Sequence, residues 1–314
     1  MKRQAVRGIL LRMLHRLPAV AIGCVAVLLL VLNTFFWVPL LLVLSLLKLL
    51  LPFKPVRDAL SRALARVAEG WIAGNGAWMA LTQRTEWDVQ GLAGLDPRRW
   101  YLVNCNHQSW VDVLVLQRVF NRRIPLLKFF LKRELLWVPV MGLAWWALDF
   151  PFMRRHSEAT LREHPRLREQ DLLTARRACL KFAAQPTSVM NFLEGTRFSA
   201  AKQRQQLSPY KHLLRPKVGG IALALNTMGE QFEAVLDVTI VYPDGVPSFW
   251  QFLCGRMKRV VVRVQHVAVP RELARADYVA DPRGRAAFRR WVKDLWQQKD
   301  ARIAALLAED LRGV

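Results

Sequence analysis

The pattern of hydrophobic and polar positions divides the chain into three parts. Residues 17–51 form an apolar run of 35 residues with one charge, Lys48. As a straight helix this run would measure about 52 Å, well beyond the ~30 Å hydrocarbon slab of a bilayer. Asn33-Thr34 and Pro39 fall near its middle. The pattern therefore predicts a break there, and a membrane-embedded helical hairpin over residues 1–53, as two short spans or a re-entrant wedge. Next, Val56, Leu60, Leu64, Val67 and Trp71 recur at helical spacing, with Arg57, Arg62 and Arg66 elsewhere on the cylinder. That predicts an amphipathic connecting helix over 54–84, loosened near its end by Gly70, Gly74 and Gly76. Two readings of it stand level: it lies on a membrane surface, or it covers the core.

From about Thr85 the grammar changes. Short apolar runs at 87–90, 100–104, 125–130, 187–193, 234–242 and 260–267 predict strands. Between and after them, helices are predicted at about 109–120, 132–147, 170–184, 211–227 and 283–310, with a polar loop at 156–170. Strands alternating with helices predict an α/β domain, a mixed sheet covered by helices, over residues 85–314. No repeat or Gly/Ser linker interrupts this part, so one domain behind a membrane anchor is the simplest partition.

Charge sharpens the picture. The 314 residues carry 47 Lys+Arg against 24 Asp+Glu, a net +23, yet 53% are hydrophobic. A disordered chain is thereby excluded. Such an excess of cations suits nucleic-acid phosphates or an anionic membrane face, and the apolar run favours the membrane. Cations flank that run on both sides, from Lys2 to Arg16 and from Lys54 to Arg66, which predicts that both ends are cytoplasmic. The run is too long for a cleaved signal peptide and lacks an A-x-A-like exit. Cys24, Cys105, Cys179 and Cys254 are scattered, which fits a reducing compartment and argues against a disulfide scaffold or zinc ribbon. Six scattered histidines give no metal-ligand spacing, so neither metal nor cofactor is expected.

The chain has no G-x-S-x-G elbow, P-loop or H-E-x-x-H. Gly74-Asn75-Gly76 begins like a dinucleotide fingerprint, but Met79 occupies the third glycine position. Two constellations remain. Asn106-His107-Gln108-Ser109-Trp110-Val111-Asp112 follows the strand predicted at 100–104. A histidine at a strand's carboxyl end is a natural general base, and Asp112 meets it if His107 lies in the loop and Asp112 in the first helical turn. Ser109-x-x-Asp112 equally fits a capping box, and both roles are compatible. The second, Glu194-Gly195-Thr196-Arg197, follows another predicted strand. A glycine there permits a tight turn, and an arginine beyond it suits phosphate. No acidic residue occurs over 195–229, whereas Arg197, Lys202, Arg204, Lys211, Arg215 and Lys217 do. Most of these cations are read as solvated or lipid-facing surface.

Together these motifs resemble the glycerolipid acyltransferases that include 1-acylglycerol-3-phosphate acyltransferase, over about residues 85–250. The resemblance implies a glycerol-3-phosphate acyltransferase-like domain. It makes His107 the general base, Asp112 its orienting partner, and Glu194, Gly195, Thr196 and Arg197 the acceptor-phosphate site. A further motif ending in F-x-x-R matches Phe152-Met153-Arg154-Arg155, which carries acceptor binding to Arg155. Its preamble, Leu148-Asp149-Phe150-Pro151, is closer to lysocardiolipin-type and bacterial inner-membrane members, and Ile240-Val241-Tyr242-Pro243 keeps one of the usual two prolines. The implied reaction moves an acyl chain from acyl-CoA or acyl-carrier protein to the hydroxyl of a lysophospholipid, most simply 1-acyl-glycerol-3-phosphate. It would proceed at a bacterial inner membrane with the catalytic domain cytoplasmic. Cys105 and Ser109 flank His107 as alternative nucleophiles. The stretch 135–152, with Trp137, Trp145 and Trp146, suits an acyl groove, a membrane-facing surface or core. The rival class is a non-catalytic, membrane-anchored protein that binds nucleic acid or anionic lipid. Steep salt dependence would mark nucleic-acid binding.

Overall fold

The structure, a computed structural model, describes residues 17–138, 141–150, 152–153, 180, 185–268, 270, 272–273 and 281–312. Arg155, the loop predicted at 156–170 and nearly all of the helix predicted at 170–184 lie outside these residues.

The apolar run does not break where its polar residues and proline suggest. It forms one helix, α1 (Ala19–Leu50), with Pro39 inside it. The chain reverses at residues 51–53 and continues as α2 (Lys54–Thr82), which has a proline in its first turn. The hairpin therefore pairs the apolar run with the amphipathic helix, not one half of the run with the other. The reason lies in the residues read as a break. Asn33 donates from Nδ2 to Trp71 O at 2.8 Å and Asn75 Oδ1 at 2.9 Å, and Thr34 Oγ1 accepts from Trp71 Nε1 at 3.1 Å. Within the apolar helix, these polar groups are satisfied across the helix pair. Gly70 and Gly74 do not loosen α2. A Cβ at Gly70 would stand 2.5 Å from the Trp37 ring, and one at Gly74 2.0 Å from Asn33 Oδ1, so glycine allows the close approach. Leu64, Val67, Trp78 and Met79 of α2 are buried, so this helix covers core along much of its length.

The remaining described elements are β1 (Glu86–Gln90), β2 (Trp100–Cys105), α3 (Val111–Phe120), β3 (Leu127–Phe129), β4 (Leu131–Lys132), a 3₁₀ turn (Arg133–Trp137) and α4 (Met141–Ala147). Then follow β5 (Phe152–Met153), β6 (Ser188–Phe192), α5 (Ala200–Gln205), α6 (Gly219–Met228), a second 3₁₀ turn (Gly229–Gln231), β7 (Phe232–Val241), α7 (Phe249–Leu253), β8 (Arg259–Val267) and α8 (Pro282–Arg312). The six predicted strands form one sheet in the order β1-β8-β7-β2-β6-β3. β7, β2, β6 and β3 are mutually parallel, while β8 is antiparallel to β7. The sheet is mixed, as expected. Alternation along β2 sets the two cores: Tyr101, Val103 and Cys105 pack with α2 and α3, whereas Leu102 packs with α6 and α8.

Two predicted helices change. Residues 132–147 split into β4, the 3₁₀ turn and α4, while residues 211–218 are not helical and α6 begins only at Gly219. His212 and Leu214 use their backbone N–H groups on side chains, Asp300 Oδ1 of α8 and Glu194 Oε2, rather than on a helix of their own. That loop is thereby drawn towards the site.

Candidate active site

β2 and β6 are neighbours and parallel, so the loops that follow them emerge side by side at one edge of the sheet. The first carries His107 and the second Glu194. Asn106 is fully buried and bonds Ile240 of β7 twice, accepting from its N–H and donating to its C=O, each at 2.9 Å. This side-chain bridge continues the ladder by one step and fixes where the loop departs.

His107 Nδ1 lies 2.8 Å from Asp112 Oδ2. That oxygen also accepts from Gln108 N at 2.6 Å and Ser109 N at 2.9 Å, while Oδ1 accepts from the Tyr242 hydroxyl at 2.6 Å. Asp112 is fully buried, and four donors hold it as an acceptor. A carboxylate that accepts a hydrogen bond from Nδ1–H leaves Nε2 as the basic nitrogen of the ring. The ring stacks on Phe192 at 3.9 Å with 14° between planes, which fixes its rotation. Burial and the Asp112 carboxylate push the Tyr242 phenol well above its ordinary range, so it remains a donor.

The capping-box reading of Ser109-x-x-Asp112 is half realised. Asp112 reaches back to Ser109 N, but Ser109 Oγ accepts from Val111 N at 3.2 Å and donates to Pro247 O at 2.6 Å. Ser109 is therefore engaged in structure. Cys105 ends β2 inside the core with no exposed surface, and burial pushes its thiol well up. Neither has the character of a nucleophile.

The Glu-Gly-Thr-Arg segment forms a turn. Gly195 has φ +66°, the left-handed region, and a Cβ there would lie 2.9 Å from the Lys217 side chain. Glu194 is fully buried, and its Oε1 accepts from His107 N at 2.8 Å while Oε2 accepts from Leu214 N at 3.0 Å. Burial pushes its carboxyl up to about 7 against both backbone donors. Glu194 thus ties the histidine loop to the 211–218 loop rather than presenting its charge to solvent. Lys202 Nζ braces the turn by donating to Thr196 Oγ1 at 2.8 Å and Arg197 O at 3.0 Å. Arg197 is exposed, with its guanidinium carbon 4.8 Å from the centre of the Trp110 ring.

The structure therefore brings His107, Asp112, Glu194, Gly195, Thr196 and Arg197 to one pole, while Arg155 lies outside the described residues. The sequence reading missed Tyr242, Phe192 and Trp110. Tyr242 had a readable signal: alternation along β7 puts it on the face of Val238 and Ile240, where a buried hydroxyl requires a partner.

The acyltransferase family model matches residues 86–243. Mouse 1-acyl-sn-glycerol-3-phosphate acyltransferase epsilon is 25% identical over 193 residues, covering 53% of this chain and 50% of that protein. The mouse gamma form is 27% identical over 237 residues, 71% of this chain and 58% of that protein. Lysocardiolipin acyltransferase 1 of Danio rerio is 26% identical over 229 residues, 67% and 53% of the two chains. This chain spans about half the length of these relatives. The crystal structure of the Thermotoga maritima 1-acyl-sn-glycerophosphate acyltransferase PlsC aligns with TM-score 0.46 and 18% identity, over 85% of this chain and 95% of that one.

Proposed function

The chain belongs to the acyltransferase family, and on that premise we propose that it transfers an acyl chain from a thioester to the free hydroxyl of a lysophospholipid. The observation that carries this reading is the buried, four-donor Asp112 on Nδ1 of a histidine at the carboxyl end of β2. Nε2 of His107 takes the hydroxyl proton as the oxygen attacks the thioester carbonyl. The C–O bond forms, the C–S bond breaks, and the imidazolium returns the proton to the departing thiolate. Asp112 stabilises the imidazolium, the division of labour seen in serine-type triads. No acyl-enzyme intermediate enters this scheme, since Cys105 and Ser109 are committed to the core and to Pro247.

The acceptor phosphate is placed against Arg197, with Arg155 carried over from the family motif. The donor is acyl-CoA or acyl-carrier protein, and 1-acyl-glycerol-3-phosphate is the first acceptor to test. A second headgroup reading, a lysocardiolipin-like acceptor, is favoured by the Leu148-Asp149-Phe150-Pro151 preamble and by the zebrafish relative. The α1 helix, of mean hydropathy 2.6 over its most apolar window, supports work at a membrane, and the family resemblance favours a bacterial inner membrane with the site cytoplasmic. The test is acyl transfer on isolated membranes over a panel of lysophospholipids. Wild-type chain should acylate at least one, and His107→Ala should lose about 10²–10⁴-fold of that rate. Unchanged transfer in His107→Ala would overturn the assignment.

A further inference from the structure

Opposite the catalytic pole, on the amino-terminal edge of the same strands, the chain folds around a second opening. This cleft has a volume of about 1020 Å³ and is floored by Pro97 and Arg98 before β2, Lys128 of β3 and Thr187 before β6. It is about 17 Å from the catalytic loops, the length of β2 at ~3.3 Å per residue. The end of α1, the first turns of α2 and the segment after α3 complete its walls.

Three observations single this cleft out. Among its described lining residues, basic side chains outnumber acidic ones eight to three. Lys48 already pairs with Asp149 and Arg98 with Asp96, and Glu69 faces Arg66 and Arg122. With Asp58 as the one further acid, Lys54, Arg57 and Arg62 still leave a net positive field in a concave site. Burial pushes the Lys128 ammonium down to about 8, with neighbouring Lys48 acting in the same direction and Asp149 against it. Second, the backbone is left-handed at two non-glycine residues of the wall, Arg122 at φ 61° and Asp149 at φ 58°. Such conformations cost free energy and concentrate where a surface is shaped for a ligand. Third, Leu49, Leu50 and Phe53 stand exposed beside Lys48 and Lys54. An apolar rim thus adjoins a cationic bowl, the layout of an amphiphile's two ends.

We propose that this cleft binds the headgroup phosphate of an anionic phospholipid, its chains lying along the exposed end of α1. The site is distinct from the acceptor site at the carboxyl ends of the strands. The proposal rests on the reading of α1 as a membrane helix but not on acyl transfer.

The test is native mass spectrometry of the full chain in neutral detergent, titrated with phosphatidylglycerol or phosphatidylcholine. Phosphatidylglycerol should bind more tightly, and raised salt should weaken it. The triple variant Arg57→Gln/Arg62→Gln/Arg122→Gln changes exposed side chains only and should lose about a hundredfold in affinity, three surface cations at roughly fivefold each. His107→Ala and Arg197→Ala should bind phosphatidylglycerol as the unaltered chain does, so failure of the catalytic reading leaves this result intact. Equal binding of the two lipids, or a triple variant with unaltered affinity, would overturn the proposal. Displacement of the lipid by micromolar free coenzyme A would also overturn it, by assigning the cleft's phosphate preference to the donor. Should the triple variant melt at a lower temperature, the salt titration of the unaltered chain decides alone.

Discussion

At the scale of single residues, a carboxylate with four donors raises a question of division. Two backbone N–H groups give Asp112 a structural role, and His107 and Tyr242 give it a chemical one. Asp112→Asn separates them. As a capping change it would cost about 0.5–2 kcal/mol of stability at most. If Asp112 orients the histidine, turnover should fall about 10²–10³-fold, because the amide neither balances imidazolium nor enforces the tautomer. The double variant with His107→Ala should be little worse than His107→Ala alone, since the pair acts as a unit. Acyl transfer normalised to folded protein measures this, and losses that multiply would return Asp112 to the helix cap. Glu194 supplies a second residue-scale prediction. Its carboxyl titrates at about 7 in the fold against an ordinary 4.5, so folding takes up a proton between those values. Its contribution is fully present below about pH 4.5 and is lost as pH rises through about 7, a change of about 3 kcal/mol. Glutamine does not titrate, so the melting-temperature advantage of wild type over Glu194→Gln should shrink from pH 5 to 8. A constant difference would mean that the buried carboxyl stays ionised throughout.

At the scale of elements, the closing helix reaches the site through a loop. From α8, Trp296 Nε1 donates to Leu214 O at 2.9 Å, and Asp300 accepts from Lys211 N at 2.9 Å and His212 N at 2.8 Å. Leu214 N in turn bonds Glu194, which bonds the backbone of His107. Deeper in the same helix, the fully buried Lys299 pairs with Asp237 at 2.9 Å and donates to Val238 O, beneath the catalytic end of β7. A buried pair of this kind registers the helix on the sheet. Asp300 itself lies nearer the surface and touches only the loop among its described hydrogen bonds. Asp300→Ala should therefore leave the fold intact and loosen the loop bearing Lys211, Arg215 and Lys217. The expected result is a roughly tenfold rise in the acceptor's KM with little change in kcat, taking one charged hydrogen bond at the low end of about 1.5–3 kcal/mol. A fall in kcat at constant KM would show instead that the loop acts on the histidine.

At the scale of the molecule, α1 touches the domain at both ends. A Cβ at Gly23 would meet Cys254 Sγ at 2.7 Å, and Lys48 pairs with Asp149 near the other terminus. A helix of 32 residues is about 48 Å long, so the domain runs beside it for nearly its whole length. Leu28, Leu32, Phe35, Phe36 and Val43 stand exposed along this helix. If α1 lies in one leaflet with the domain beside it rather than crossing, both of its ends stay on one side of the membrane. Single cysteines at positions 18 and 52 should both react with an impermeant thiol reagent from the side that carries the catalytic domain. Reaction of either from the opposite side alone would make α1 a true span.

How much of this was legible in the chain follows from which signals are local. The six sheet strands, the amphipathic α2 and the histidine–aspartate and Glu-Gly-Thr-Arg motifs were readable because alternation, helical spacing and motif order are properties of neighbours in sequence. The unbroken α1 was not. Asn33 and Thr34 read as a break until partners 37 to 42 residues away satisfy them. Likewise Gly70 and Gly74 read as looseness until the facing Trp37 and Asn33 occupy the space a Cβ would fill. Tyr242 lies 130 residues from Asp112, and Leu214 is held between α8 and Glu194, so long-range pairing alone makes them part of the site. Sequence determined which groups the protein carries and which face of each element is apolar. Tertiary structure decided which polar groups satisfy one another, because that depends on distances only the packed chain defines.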